Sequence, residues 1–205
     1  MSGTATPTAA ARLRLIRQEQ LATHAAELLS GKEAALEREC VRLAGHVNRT
    51  EQRWRERSSD AATWLLRTRM LGGSRELDRV VDTESANAAV SVTWQASMGV
   101  AYPSDVSCTF PEPPAVYTTA AMAPTIEAHR QALRTAAEHA AMSSALERLQ
   151  SELVATRRRR RAIEDRLIPD LAAERQALEI HLDEEDRDQA LRVRLAARQQ
   201  TGVAT

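Results

Sequence analysis

Two long stretches of this chain carry apolar residues at helical spacing, and a stretch with period-two alternation lies between them. A left-handed coiled coil needs a repeat of about 3.5 residues, and an eleven-residue repeat gives about 3.67. Both observed stripes step by roughly 3.7 to 3.8 residues, which predicts two helices that pair nearly straight or with a slight right-handed twist. The first stripe is Leu21, Ala25, Leu28, Lys32, Leu36, Cys40, Leu43 and Val47. The second stripe is Ile163, Leu167, Leu171, Glu174, Leu178 and Leu182.

The two helical arms are predicted at residues 7–70 and 124–200. Both are rich in Ala, Leu, Arg, Glu and Gln, which favour helix. At about 1.5 Å per residue the arms span roughly 90 and 110 Å, far more than the ~33 Å of a compact domain of this length. The arms therefore pair with each other or with partners. Pro7 marks the start of the first arm, Gly72 and Gly73 mark its end, and Pro169 is expected to bend the second arm.

The central segment, residues 71–123, alternates apolar and polar residues in two places, around Val90–Trp94 and around Val106–Phe110. This pattern predicts two short strands or a β-hairpin. The predicted fold class is mainly α: a long antiparallel two-helix coiled coil with a small central knob that contains a short β-hairpin. Most aromatic residues lie in this segment, and aromatics dominate interface energetics. Partner contacts are therefore predicted at Trp94, Tyr102 and Phe110.

Charge and composition narrow the functional classes. The chain has 28 basic and 28 acidic residues, for a net charge of +0, which argues against a nucleic-acid binder. No apolar stretch reaches the ~18 residues of a membrane-spanning helix, and the N-terminal residues do not read as a secretory signal. Cys40 and Cys108 lack metal-ligand or CxxC spacing. These features predict a reduced, cytoplasmic protein without direct membrane insertion.

Catalytic, cofactor and metal sites are not expected. The acidic stretch Asp183–Asp188 is the strongest metal candidate, but consecutive helical carboxylates point in divergent directions and His181 stands alone beside them. A solvated face explains this stretch better. The other four histidines have no ligand spacing, and no phosphate-binding loop or nucleophile elbow is present. The chain is therefore predicted not to be an enzyme.

Three sequence motifs resemble the D subunit, the central rotor-stalk component of V/A-type rotary ATPases. The opening Pro7–Leu36 has the family's Pro-Thr, L-x-L, Leu-Leu and Lys in register. Met98–Pro103 is similar to the family's Met-Gly-Val-x-x-Pro. Thr156–Glu164, followed by Ile168-Pro169, is similar to its threonine, basic run and Ile-Pro. The motifs occur in the family's order and cover most of the chain.

The resemblance implies a mechanical role. In that family the tip formed by both termini inserts into the ring of catalytic and regulatory subunits. The knob binds the small F subunit of the stalk and seats on the funnel-shaped subunit above the membrane ring. The chain would transmit torque between ATP chemistry in the ring and ion translocation in the membrane sector, and it would be peripheral to the membrane through the complex. Another coiled-coil scaffold, or an export-apparatus stalk protein, is the alternative.

Five consecutive arginines form the strongest local charge feature: Arg157, Arg158, Arg159, Arg160 and Arg161. Three interpretations remain open for them: contact with acidic residues of the ring, contact with nucleic acid, and a solvated basic face. If both termini lie level at the tip, Arg159 lies beside Arg49 and Ala26 beside Leu182. The two basic stretches would then repel each other in the absence of an anionic partner.

Overall fold

The computed structural model of the chain describes residues 8–72, 77–78, 87–112 and 119–202. Its elements are α1 (Ala9–Gly72), β1 (Ala89–Ser97), β2 (Val100–Thr109), α2 (Met122–Ala162), a π-helical turn (Ile163–Leu167) and α3 (Ile168–Gly202). A mainly helical chain with a small antiparallel sheet at its middle confirms the predicted fold class. Pro7 and Gly73, which the sequence singled out, lie outside the described residues.

Helix α1 begins at a side-chain cap. The hydroxyl oxygen of Thr8 accepts a hydrogen bond from the backbone N–H of Ala11 at 3.2 Å, which satisfies one of the unpaired donors of the first turn. The helix then continues without interruption to Gly72. Gly73 lies outside the described residues, so the stop expected at the glycine pair stays a prediction.

Chain contacts divide the protein into two compact units. The terminal unit comprises Met1–Glu33 and Ala155–Thr205, and the central unit comprises Ala34–Val154. In the terminal unit, Glu33 is bonded to Arg157 at 2.8 Å. Glu19, nearer the N-terminus, is bonded to Arg175 at 2.9 Å. Position along α1 therefore falls as position along the returning helices rises, so the helices of this unit run antiparallel.

The predicted register of the helices is wrong. Glu33, not Arg49, faces the arginine run, because its carboxylate binds both Arg157 and Arg160. Ala26 lies between the levels of Glu19 and Glu33 and therefore does not face Leu182. The error came from placing the two termini level. The ion pairs of Glu19 and Glu33 fix the register instead. Beyond Leu182 every side chain to Arg198 is exposed.

The apolar stripe is also displaced in the terminal unit. Leu21 and Leu28, predicted to face the partner helix, are 69% and 63% exposed. Ala22 and Ala26 are buried in their place. Small side chains let two helices approach closely, so the alanines take the contact although the leucines are more hydrophobic. On the returning helices, Ile163, Leu171, Leu178 and Leu182 are partly buried, whereas Leu167 and Glu174 are exposed.

The central unit has a core in which helix and strand residues meet. Leu36, Cys40 and Leu43 of α1 are buried, as the stripe predicted. The buried residues that complete this cluster are Tyr102 of β2 and Ala145, Leu149 and Leu153 of α2. The core therefore anchors the second strand to the helices through Tyr102.

A second interhelical contact of the central unit is polar. Thr68 of α1 and Thr125 of α2 are buried, and their hydroxyl oxygens lie 2.6 Å apart. The hydroxyl oxygen of Thr68 lies 3.2 Å from the backbone carbonyl oxygen of Ala121, and that of Thr125 lies 2.8 Å from the same carbonyl and 3.0 Å from the carbonyl of Trp64. Each hydroxyl has a single proton, so one threonine donates to the other, which in turn donates to a backbone carbonyl. These bonds satisfy groups whose burial would otherwise be costly.

The sheet is a two-stranded β-hairpin closed by Met98 and Gly99. Both turn residues have positive φ, 52° and 80°, which is the type I′ geometry that matches the twist of paired strands. Ser97 pairs with Val100 across the turn. The register shifts between Thr93 and Trp94, because β2 carries Ser104 as an extra, bulged residue.

A π-helical turn precedes Pro169, the residue expected to bend the second arm. Ile163–Leu167 is wound as a π-helix, and the backbone N–H of Ile168 donates to the carbonyl of Ile163. Proline lacks an N–H and crowds the carbonyl four residues before it. The wider turn before Pro169 accommodates both effects while the helix continues into α3.

Candidate partner-binding surfaces

Two arginines of the basic run are used within the terminal unit itself. The Nε atoms of Arg157 and Arg160 donate to the two carboxylate oxygens of Glu33 at 2.8 and 2.9 Å. Arg160 also donates to Glu164 at 2.7 Å. Hydrogen bonds from Arg157 and then Arg160 hold the pKa of the Glu33 carboxyl below its ordinary value. Glu164 and Glu33 together raise the pKa of Arg160.

The other three arginines of the run, Arg158, Arg159 and Arg161, are exposed. Arg158 and Arg161 lie one helical turn apart and so share a face of α2. Within the described part of the chain, neither makes an ion pair. Adjacent unpaired guanidinium groups are suited to carboxylates on another molecule. Arg157 and Arg160 of the run therefore stabilise the fold, whereas Arg158 and Arg161 lie on the surface. The sequence alone did not indicate this difference.

The β-hairpin presents an apolar face with a groove beside it. Val90, Val92 and Trp94 of β1 alternate along one face of the sheet and remain about half exposed. They line a groove of about 260 Å³ together with α2 residues that are mostly alanine. Since large exposed apolar side chains rarely cluster on a surface without a partner, this face is a candidate interface.

Trp94 and Phe110 each lie beneath arginines of α2. The guanidinium of Arg148 lies 4.9 Å from the centre of the Trp94 ring. Arg134 and Arg130 lie 4.8 and 5.5 Å from the centre of the Phe110 ring. Arg130 also donates to the backbone carbonyl of Pro111. Cation–π contacts of this kind hold the rings against α2 while leaving much of Trp94 open.

Tyr102, by contrast, is only 4% exposed and belongs to the core of the central unit. Burial, followed by the nearby Glu39 carboxylate, raises the pKa of its phenol. The Nε and Nη2 atoms of Arg42 donate to the two carboxylate oxygens of Glu39, and these hydrogen bonds lower the pKa of Glu39. The ring of Tyr102 therefore packs the β-hairpin onto the helices, and its role in binding a partner stays a prediction.

An outward leucine stripe on α1 was missed by the sequence reasoning. Leu13, Leu21 and Leu28 are all more than half exposed, and their spacing places them on one side of the helix. The sequence contained a signal for this stripe. Ala22 and Ala26 lie within two residues of Leu21 and Leu28, so the arm carries two apolar faces. Scoring the arm for two apolar faces instead of one would have found it.

Two further observations concern chemistry and membranes. Among the described residues, no group of three or more His, Cys, Asp and Glu side chains is arranged to hold a metal ion. Across that same part of the chain, none of the helices combines the length and the hydropathy needed to cross a bilayer.

Comparison with known proteins identifies the family. The sequence model that describes the D subunit of ATP synthase matches residues 11–198. The D subunit of the A-type ATP synthase of Thermoplasma volcanium is 26% identical over 193 residues, which covers 89% of this chain and 89% of that relative. The family match spans almost the whole chain, both helical arms and the β-hairpin included. The chain therefore belongs to the D-subunit family of V/A-type ATP synthases.

Proposed function

We propose that this chain is the central rotor-stalk subunit of its ATP synthase. In this role it transmits torque between ATP chemistry in the catalytic ring and ion translocation in the membrane sector. Membership in the family and the name of the Thermoplasma volcanium relative support the assignment of this chain to an ATP synthase complex. The alternative of an unrelated coiled-coil scaffold or export-apparatus stalk has no comparable support.

The observation that carries the proposal is the pairing of α1 within each unit. In the terminal unit, α1 is bonded to the returning helices through Glu19 and Glu33. In the central unit, it is bonded to α2 through buried Thr68. A lone helix gains little stability in water and bends easily, whereas two helices with a shared core resist separation. Such pairing suits a subunit that carries a mechanical load.

The terminal unit is the proposed contact with the catalytic and regulatory subunits of the ring. Its outward leucines Leu13, Leu21 and Leu28 offer an apolar surface, and Arg158 and Arg161 offer positive charge to acidic ring residues. Apolar contacts do not require one fixed geometry. Together with exposed charges, they suit a surface that contacts successive ring subunits as it rotates. The near-zero net charge weighs against nucleic acid as the partner of the arginines.

The central segment is the proposed contact with the small F subunit of the stalk and with the funnel-shaped subunit above the membrane ring. Half-exposed Trp94 and the apolar face beside it supply the surface. The chain is accordingly divided into arms at 7–70 and 124–200 and a knob at 71–123. Deleting residues 88–117 is expected to release the small subunit and leave the helices in the ring. A small subunit that stays bound would contradict this assignment.

Cross-linking tests the rotor role directly. Asp188 of α3 is exposed, so Asp188→Cys places a thiol on the terminal unit. Oxidative cross-linking of this thiol to a ring subunit should abolish most ATP hydrolysis by the purified complex, and reduction should restore it. The parent chain, with buried Cys40 and partly exposed Cys108, gives the background. Hydrolysis that continues at the original rate after cross-linking rules out a rotor.

A further inference from the structure

The two edges of the β-hairpin are protected to very different degrees. β2 contains Pro103, the bulged Ser104 and the charged Asp105. Proline, bulges and charges are the devices by which proteins keep other strands from pairing with an exposed edge. β1, with the sequence AVSVTWQAS, has no charge, no proline and no glycine in nine residues. One edge is therefore closed to strand pairing and the other is open.

The register shows which backbone groups β1 leaves unpaired. Ser97 and Val100 flank the two-residue turn and pair with each other, and residues in these positions share the hydrogen bonds of the turn. Hydrogen-bonded and non-hydrogen-bonded pairs then alternate along the strands. The backbone groups that face away from β2 therefore belong to Val90, Val92, Trp94 and Ala96.

These groups are accessible. Every residue from Ala89 to Ala96 is exposed, and the sheet has two strands among the residues that the structure describes. An isolated two-stranded hairpin is marginal in water, and a third strand adds both hydrogen bonds and cross-strand side-chain contacts. The outward backbone set coincides with the residues of the apolar face, so an added strand would extend that face.

We propose that the outer edge of β1 binds an extended strand from another subunit of the same complex by β-augmentation. This inference rests on the proposed function, which supplies the complex. The partner strand has apolar residues facing the α2 side, next to Val92 and Trp94. It also has an acidic residue near Arg148, which covers the Trp94 ring and makes no ion pair with the described residues.

A second copy of this chain fits the edge less well. Trp94 lies near the middle of β1, so antiparallel pairing of two β1 strands would bring two Trp94 rings together. The Arg148 guanidinium on each ring would then approach its equivalent, and like charges at short range repel. A strand that carries a carboxylate avoids this repulsion.

Residue-level hydrogen exchange tests the inference without any variant. The amide exchange of β1 is measured in the isolated chain and in the intact ATPase complex, by mass spectrometry with electron-transfer fragmentation. We expect the amides of Val90, Val92, Trp94 and Ala96 to slow by about tenfold or more in the complex. The amides of Ser91, Thr93 and Gln95, which already bond to β2, should change less. Exchange of the outward amides that is equally fast in both states overturns the inference.

A matched pair of proline variants supplies the second test. Val92 and Val106 are partners in the register, and the N–H of each faces away from the other strand. Val92→Pro removes a donor from the open edge, whereas Val106→Pro removes one from the edge that already contains Pro103. We expect only Val92→Pro to eliminate the protection of β1 in the complex. Equal effects of the two variants contradict the assignment of the edge.

The outcomes separate this inference from the proposed function. A chain that is present in the complex with unprotected β1 amides overturns the strand pairing and leaves the rotor role intact. A chain that is absent from every ATPase complex overturns the proposed function. Protection that appears in the isolated chain and grows with its concentration identifies a second copy as the partner, which also overturns the proposal.

Discussion

The carboxylate of Glu33 lies 2.8 Å from the Nε atom of Arg157, so an acidic residue near the middle of α1 binds the basic run of α2. Arg160, one turn further on, binds the other carboxylate oxygen at 2.9 Å. One carboxylate thus joins two arginines that would otherwise repel each other. This arrangement sets the helix register of the terminal unit and engages Arg157 and Arg160, whereas Arg158 and Arg161 stay exposed.

Removing the carboxylate should weaken the terminal unit. Glu33→Gln leaves Arg157 and Arg160 adjacent without their shared anion, so we expect a lower Tm for the isolated chain. The fall should be no more than a few degrees, because these side chains are partly solvated. It should shrink at high salt, where screening is stronger. Arg158→Gln, on the exposed face, serves as the matched control and should leave Tm unchanged.

The contribution of Glu33 should depend on pH. Its folded pKa lies below the ordinary 4.5, so the ionised carboxylate stabilises the fold at pH values above 4.5. That stability is lost as the pH falls through the folded pKa. Urea unfolding should therefore separate the parent chain from Glu33→Gln at pH 7, and the difference should shrink as the pH is lowered below 4.5. A difference that is constant over this range would show that the ion pairs contribute nothing.

The threonine pair should behave as a coupled unit. Thr125→Val leaves the buried hydroxyl of Thr68 without one of its partners, which should cost about 1–3 kcal/mol of unfolding free energy. The double variant Thr68→Val/Thr125→Val removes both hydroxyls together and should cost less than the sum of the single changes. Chemical denaturation of all four proteins gives the coupling energy. Strict additivity would exclude an energetic link between the two hydroxyls.

The exposed arginines should matter to assembly and not to folding. Arg158→Gln/Arg161→Gln should leave the Tm of the isolated chain unchanged, because neither residue has an ion-pair partner among the described residues. The same variant should weaken assembly with the catalytic ring, most clearly at low salt. The comparison variant Arg157→Gln/Arg160→Gln should instead lower Tm. Unchanged assembly at low salt would leave Arg158 and Arg161 as a solvated face.

Local patterns in the sequence were sufficient for the elements of the fold. Alternation around Val90–Trp94 and Val106–Phe110 predicted the two strands. Leu36, Cys40 and Leu43 were correctly placed in the core. These features depend on side-chain periodicity and backbone freedom, both of which act over a few residues. The arginine run and Trp94 could be singled out for the same reason.

Only the tertiary structure decided which residues face each other. Helical periodicity is the same for any sliding of one helix along another, so it could not distinguish Glu33 from Arg49 as the neighbour of the arginines. It also could not show that Ala22 and Ala26 would be buried in place of Leu21 and Leu28, because close approach depends on the opposite helix. The division of five arginines into Arg157 and Arg160, bound to Glu33, and an exposed remainder follows from that register. Contacts between residues far apart in sequence are set by packing and charge pairing across the helices, and no local pattern encodes them.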